Sequence, residues 1–181
     1  MEFLSPMRRF IHLILLGLLL TLAPAFARAA TEAELRAAVI YNIARFVQWP
    51  HATTNNTNFD ICTLGNNAVS DALVSLEGKP LNGLPTHTRP IQRDRDLEGC
   101  RMLYIAPDDT VRMAAISAIL TNNREATLTI SDAPSFLALG GMVQLVVVDE
   151  RQRFRINQEL AEKANLYINA KLLQLALPAS D

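Results

Sequence analysis

Short apolar runs alternate with segments of helical spacing through the middle of the chain, and this alternation constrains the fold more than any other feature. "FDICTLG", "CRMLYIAP", "EATLTISD" and "MVQLVVV" read as strands rich in apolar and β-branched residues. "NNAVSDALVSLEGK" and "DDTVRMAAISAILTNN" stand between them with helical patterns. A strand that follows a helix returns parallel to the strand before it, because the crossover carries the chain back over the sheet. The final pair of strands, "MVQLVVVDERQRFRIN", is joined by the short polar turn "DERQ" and predicts an antiparallel hairpin. The expected fold is therefore α/β: a single layered domain with a mixed, mostly parallel sheet flanked by helices.

Local signals place the elements. Thr31 followed by Glu34 fits a capping box that opens a first helix. Leu35, Val39, Ile43 and Phe46 or Val47 are its expected buried face. Pro50 disfavours helical geometry at the residue before it, so the helix is expected to end near Gln48. "HATTNNTN" is polar and aperiodic, a loop. Val69, Leu73 and Leu76 share one side of the second helix, and Gly78 is its expected stop. "LPTHTRPIQ" is strand-like, with Pro85 and Pro90 pushing it to a sheet edge. Asp108 and Asp109 are candidate caps for a helix whose inward face is predicted from Val111, Ala115 and Ile119. "APSFLALGG" is a helical turn closed by glycines. Asn157 is expected to cap a helix over "QELAEKANLYI", with Asn165 near its end.

Residues 1–29 stand apart. "MRRFIHLILLGLLLTLAPAFARA" has a basic start at Arg8 and Arg9, an apolar run from Phe10 to about Leu22, and small residues that fit a cleavage rule at Ala25–Ala27 or Ala27–Ala29. This is the pattern of a secretory signal peptide, with Met7 as an expected start, and the apolar run is short for a spanning helix. Residues 30–181 would then form one periplasmic domain. Loss of Arg8, Arg9, Arg28 and Glu2 takes 17 basic and 18 acidic residues to 14 and 17, a net charge of −3. That balance, without a clustered basic face, argues against a nucleic-acid binder. Cys62 and Cys100 are the only cysteines. In an oxidising compartment a disulfide between them is favoured over two buried thiols.

No catalytic constellation is legible. His51 and His87 survive export, and neither has a partner at metal-ligand spacing, so no metal site and no cofactor are expected. Gly140-Gly141 precedes a strand, whereas a phosphate loop follows one, and a helix stop is the better reading. "GNNAVSDAL" lies between strand and helix, where anions can bind, but lacks the glycine pattern and lysine of a nucleotide loop. Asp94, Asp96, Asp108, Asp109 and Asp132 are turn or cap residues by default. Arg151, Arg153 and Arg155 alternate, share one strand face, and are either a solvated face or an anion site, with Phe154 and Ile156 on the other face.

"AAVIYNIARFVQWP", "FDICTLG", "GCRMLYIA", "LTISDAPSFLALGGMVQLVVVDERQRFRIN" and "AEKANLYINAKLLQLA", in that order, resemble the YfiR family of periplasmic regulators from about Ala33 to Ala176. The resemblance implies a non-catalytic protein that restrains the periplasmic part of an inner-membrane diguanylate cyclase and so lowers cyclic di-GMP and biofilm formation. It implies a homodimer, an outer-membrane lipoprotein that can sequester the regulator, and a disulfide at the positions of Cys62 and Cys100. It also implies a nucleotide-like or aromatic ligand near Arg45, Gln48, Trp49 and Lys171, to which the arginine face contributes Arg155. Gln48 is uncharged and Lys171 lacks the fork of an arginine. The alternative is a periplasmic binder of a nucleotide- or amino-acid-like ligand that serves another sensor. A hydrolase using His51 or His87 ranks last.

Overall fold

The computed structural model describes residues 31–50, 57–123 and 126–179. The polar loop after Pro50, with His51, and the leader lie outside the described residues.

The first helix, α1 (Glu32–Arg45), begins as the capping box predicts. Thr31 Oγ1 accepts from the Glu34 amide at 3.2 Å, and the Glu34 carboxylate accepts from the Thr31 amide at 2.7 Å. Its buried face matches the expected one only in part: Ile43 is buried, Val39 packs against the core, and Val47, just past the helix, is buried. Ala37, Ile40, Ile43 and Ala44 are buried, whereas Leu35 is 49% and Phe46 40% exposed. Small side chains at Ala37 and Ala44 let the helix approach the sheet closely, so packing distance rather than side-chain bulk chose the face. The helix also ends at Arg45, earlier than Gln48. Val47–Gln48 leave it to form β1, which pairs antiparallel with β9 (Tyr167–Ile168), Val47 opposite Ile168 and Gln48 opposite Tyr167. That partner strand lies far along the chain, beyond the reach of any local pattern.

The main sheet has seven strands in the order β3-β4-β2-β5-β6-β7-β8. They are β2 (Phe59–Leu64), β3 (Pro80–Leu81), β4 (Leu84–Ile91), β5 (Met102–Ile105), β6 (Leu128–Ser131), β7 (Val143–Val148) and β8 (Arg151–Ile156). From β4 to β7 every neighbouring pair is parallel, while β3 and β8 run antiparallel to β4 and β7. The expected mixed, mostly parallel sheet is the observed one. Alternation sends Phe59, Ile61, Met102, Tyr104 and Ile130 to one face, where they pack with α1, α2 (Ala68–Val74), α4 (Gln158–Lys163) and α5 (Ala170–Leu175). Cys62, Leu64, Leu103 and Ile105 face the other way, against α3 (Met113–Asn123), Leu97 and Phe136.

The turn before α3 shifts its phase. Pro107–Arg112 form a 3-10 helix, opened by the preset proline, and α3 follows with Met113, Ile116 and Leu120 inward. Val111 is consequently 87% exposed and Ala115 points out, against the predicted face; Ile119 packs only at its margin. Asp108 and Asp109 sit in the first turn, but no side chain caps it. The second helix buries Val69 and Leu73 as expected, but it opens on an Asn67 cap that was not anticipated and ends at Val74, ahead of Gly78.

Both sheet edges are closed. The short β3 is outermost and covers only Leu84–Pro85 of β4, so the rest of β4 lies at the edge, as its prolines allow. The Thr86 amide donates to Lys79 O at 2.9 Å, the Thr88 amide to the Glu77 carboxylate at 2.6 Å, and Pro90 has no N–H to offer. On the far side Leu177 bonds Phe154 O at 2.9 Å, laying the C-terminal segment along β8. The hairpin turn narrows to Asp149 and Glu150, both at positive φ (49° and 59°), which suits the twist of a two-residue connection.

Cys62 on β2 and Cys100 before β5 are bridged, with Cα atoms 5.8 Å apart. Arg89 of β4 reinforces the same connection by donating to Asp96 O and Glu98 O, each at 2.6 Å. The bridge closes a loop of 38 residues, for which chain entropy allows about 4 kcal/mol. Urea unfolding with and without reductant should differ by up to about that amount. Native, air-exposed protein should titrate no free thiol; a full complement of two would refute the bridge.

Candidate functional site

The end of α1, the β1–β9 ribbon and the start of α5 form one surface. Asn169 joins them: its amide donates to Phe46 O at 2.9 Å, and its side chain accepts from the Lys171 amide at 2.9 Å as the cap of α5. Arg45, Gln48 and Lys171 are therefore carried on elements that are bonded to one another, and all three are exposed. Phe46 and Tyr167, the latter 62% exposed, put aromatic area on the same surface. The arrangement offers two cations and two aromatic rings to a partner or an anionic ligand.

Trp49 has a different role. It is half-buried, and its indole N–H donates to Arg101 O at 3.0 Å. That carbonyl also accepts from the Leu128 amide, so the indole locks onto the point where β5 and β6 begin to pair. The ring meets Phe59 edge-to-face at 4.9 Å, and the Arg101 guanidinium lies 5.7 Å from the Phe59 centroid. Trp49 is thus a core-edge residue that anchors the helix-to-ribbon junction.

The structure does not bring Arg155 to this surface. Arg155 stands opposite Gln144, whose amide donates to Ala133 O, and it alternates with Phe154 and Ile156, which face α1. Its side chain is on the other face of the sheet. Arg151 is exposed beside the hairpin turn, and Arg153 donates to Leu175 O at 3.4 Å. The three arginines share a strand but do not converge.

A second polar cluster escaped sequence reasoning. At the carboxyl ends of the strands, Asn67 Nδ2 donates to Tyr104 OH at 3.0 Å, and Tyr104 OH donates to Asp132 Oδ1 at 2.7 Å. Arg36 of α1 pairs with the same Asp132 and with Glu32. These residues are dispersed along the chain, and only Asp132 had a local signal, as a turn residue. Burial is the main cause that pushes the Tyr104 hydroxyl well above its ordinary value, so it stays protonated as a donor.

Ligands of open α/β sheets bind outside the strand carboxyl ends where the strand order reverses, here between β2 and β5. That place is filled from within. A Cβ at Gly65 would lie 2.2 Å from Asp109 Oδ2 and 2.7 Å from Ala106 Cβ. The side chain of Asn67 takes the Ser70 amide at 2.9 Å. The loop "GNNAVSDAL" therefore satisfies Asn67 and Ser70 internally, while Gly65, Asn66 and Asp71 line a cavity of about 460 Å³ towards β4. Gly141 is needed for packing, because a Cβ there would come within 2.2 Å of the Phe136 ring. His87 is exposed in part and contacts Glu77 at 3.2 Å. Among the described residues no cluster of His, Cys, Asp or Glu has the geometry of a metal site, and no helix is long and apolar enough to cross a membrane.

The ordinary tyrosine pKa is 10.0, and that of Tyr104 is higher in the folded chain. The stabilisation from its protonated form is complete below about pH 10 and is lost as the pH rises towards the folded value. Denaturant unfolding should show stability falling above that pH. Tyr104→Phe should cost about 1–3 kcal/mol at neutral pH, by leaving Asn67 and Asp132 short of a partner, and should remove this alkaline slope.

The comparisons with known proteins agree with this architecture. No curated protein sequence matches the chain. A conserved domain protein from Vibrio cholerae O1 biovar El Tor, known from its crystal structure, shares the fold with a TM-score of 0.50 and 16% sequence identity. The similarity covers 82% of this chain and 60% of that one, so the chain spans less than two thirds of that protein. The model of the YfiR/HmsC-like family matches residues 33–177, from the start of α1 to the segment that bonds β8. The chain belongs to the YfiR/HmsC-like family of periplasmic regulators.

Proposed function

We propose that this protein is a non-catalytic regulator that binds the periplasmic part of an inner-membrane signalling protein, a diguanylate cyclase in the first instance, and holds it inactive. The family match over residues 33–177 is the observation that carries the reading. In the same reading residues 1–29 are a leader removed on export, the working unit is a homodimer, and an outer-membrane lipoprotein can compete for it. Inhibition of this kind is a population shift: the regulator must bind the inactive state of the enzyme more tightly than the active one.

The surface of Arg45, Phe46, Gln48, Tyr167 and Lys171 is the contact region we assign to the partner or to a small effector. Its exposed rings can be desolvated by a partner without any rearrangement of the core. Trp49, below them, supports the surface and is not itself the contact.

Two expectations follow from this division. Mature protein should capture the periplasmic domain of a cyclase encoded beside it, and deletion should raise cellular cyclic di-GMP. Absence of capture together with unchanged cyclic di-GMP would sink the reading. Phe46→Ala with Tyr167→Ala should weaken capture at least about tenfold while the melting temperature holds. Trp49→Ala should instead cost about 2–3 kcal/mol in urea unfolding, through the lost indole bond and the Phe59 contact.

A further inference from the structure

A cavity of about 510 Å³ opens near the amino ends of β6 and β7. Its size falls within the roughly 300–1,000 Å³ usual for small-molecule sites. One wall comes from α3 through Met113 and Leu120, the other from α4 through Leu160. Met142 reaches the cavity just before β7 begins.

Its position is unusual within this fold. Met142 belongs to the core under α1 and α4, whereas Met113 and Leu120 belong to the core under α3. The sheet separates those cores along most of its length, and at this end both reach one space. Two thioether side chains in the lining can adjust to the outline of a guest. Ser117, Thr121 and Asn165 supply polar groups, while the Thr129 hydroxyl is already engaged with the Met142 amide at 3.1 Å.

The charge of the lining is one-sided. Among the described residues Lys163 is the one charged side chain in the lining, and no carboxylate lines it. The Lys163 ammonium meets Glu159 Oε1 at 2.6 Å on the exposed side of α4. An exposed pair of this spacing is weak, so an anion in the cavity can compete for the ammonium.

We propose that this cavity binds a small amphipathic anion. The apolar body rests on Met113, Leu120, Met142 and Leu160, and the anionic head meets Lys163. Such a ligand touches both layers at once and stabilises α3 and α4 in one relative placement. The proposal does not rest on the regulator reading.

Octanoate and 1-octanol serve as probes, with titration calorimetry and thermal shift on the mature chain as readouts. Octanoate should bind saturably, raise the melting temperature, and bind about tenfold tighter than 1-octanol. Lys163→Met should reduce octanoate to the level of 1-octanol and leave 1-octanol unchanged. Ser117→Trp should abolish binding of both by filling the opening. Thr121→Trp provides the same block should Ser117→Trp melt early without ligand. Lack of saturable octanoate binding by folded wild type would overturn the site, as would binding that survives both tryptophan variants. Octanoate affinity unchanged in Lys163→Met would overturn the anionic class.

Discussion

Strand β2 is buried on both faces, and the layers of the molecule are placed relative to it. Phe59 and Ile61 point into the core beneath α1 and α2, while Cys62 and Leu64 point into the core beneath α3. Parallel pairing to β4 on one side and β5 on the other makes β2 the point where the strand order reverses. The disulfide then ties this strand to the start of β5, and Arg89 ties the intervening loop to β4. Phe59 receives Trp49 edge-to-face, so the helix-to-ribbon junction is referenced to the same strand.

This arrangement fills part of the usual ligand crevice of an open α/β sheet with the protein's own groups. The carboxyl ends of β2 and β5 are occupied by Asp109 against Gly65 and by the chain of bonds from Asn67 through Tyr104 and Asp132 to Arg36. Those bonds join α1 to β5 and to the segments that follow β2 and β6, and they rigidify that end of the sheet. The exposed aromatic area lies instead on the ribbon of β1 and β9, outside the main sheet. With both sheet edges closed, contact through side chains on this surface is favoured over the addition of a strand.

Much of the architecture was legible because it is encoded by short-range rules. Apolar runs that can be buried on both faces announced the parallel strands, Thr31 with Glu34 announced the start of α1, and Pro85 and Pro90 announced the edge. The failures have physical causes. The buried face of α1 was misread because Ala37 and Ala44 carry little hydrophobic signal, yet their small size is what permits close packing. The phase of α3 was misread because a 3-10 turn of different periodicity precedes it. The surface residues Arg45, Gln48 and Lys171 were indicated by family resemblance, and Tyr167, their neighbour across the ribbon, was not. Arg155 was grouped with them through strand alternation, which says which residues share a face but not which side of the sheet that face becomes.

By itself the sequence determined the class of fold, the order of its elements, the two cysteines available for a bridge and the family to which the chain belongs. These depend on periodicity, capping and residue type, which act over a few positions or survive as a pattern along the whole chain. Only the tertiary structure decided where α1 ends, which side of it is buried, and that Trp49 bonds Arg101 O and packs on Phe59. It also decided that Tyr104, Asp132, Asn67 and Arg36 meet, and that two separate cores open into one cavity. Each of those outcomes rests on contacts between distant segments, where a strand partner or a close approach outweighs the local preference.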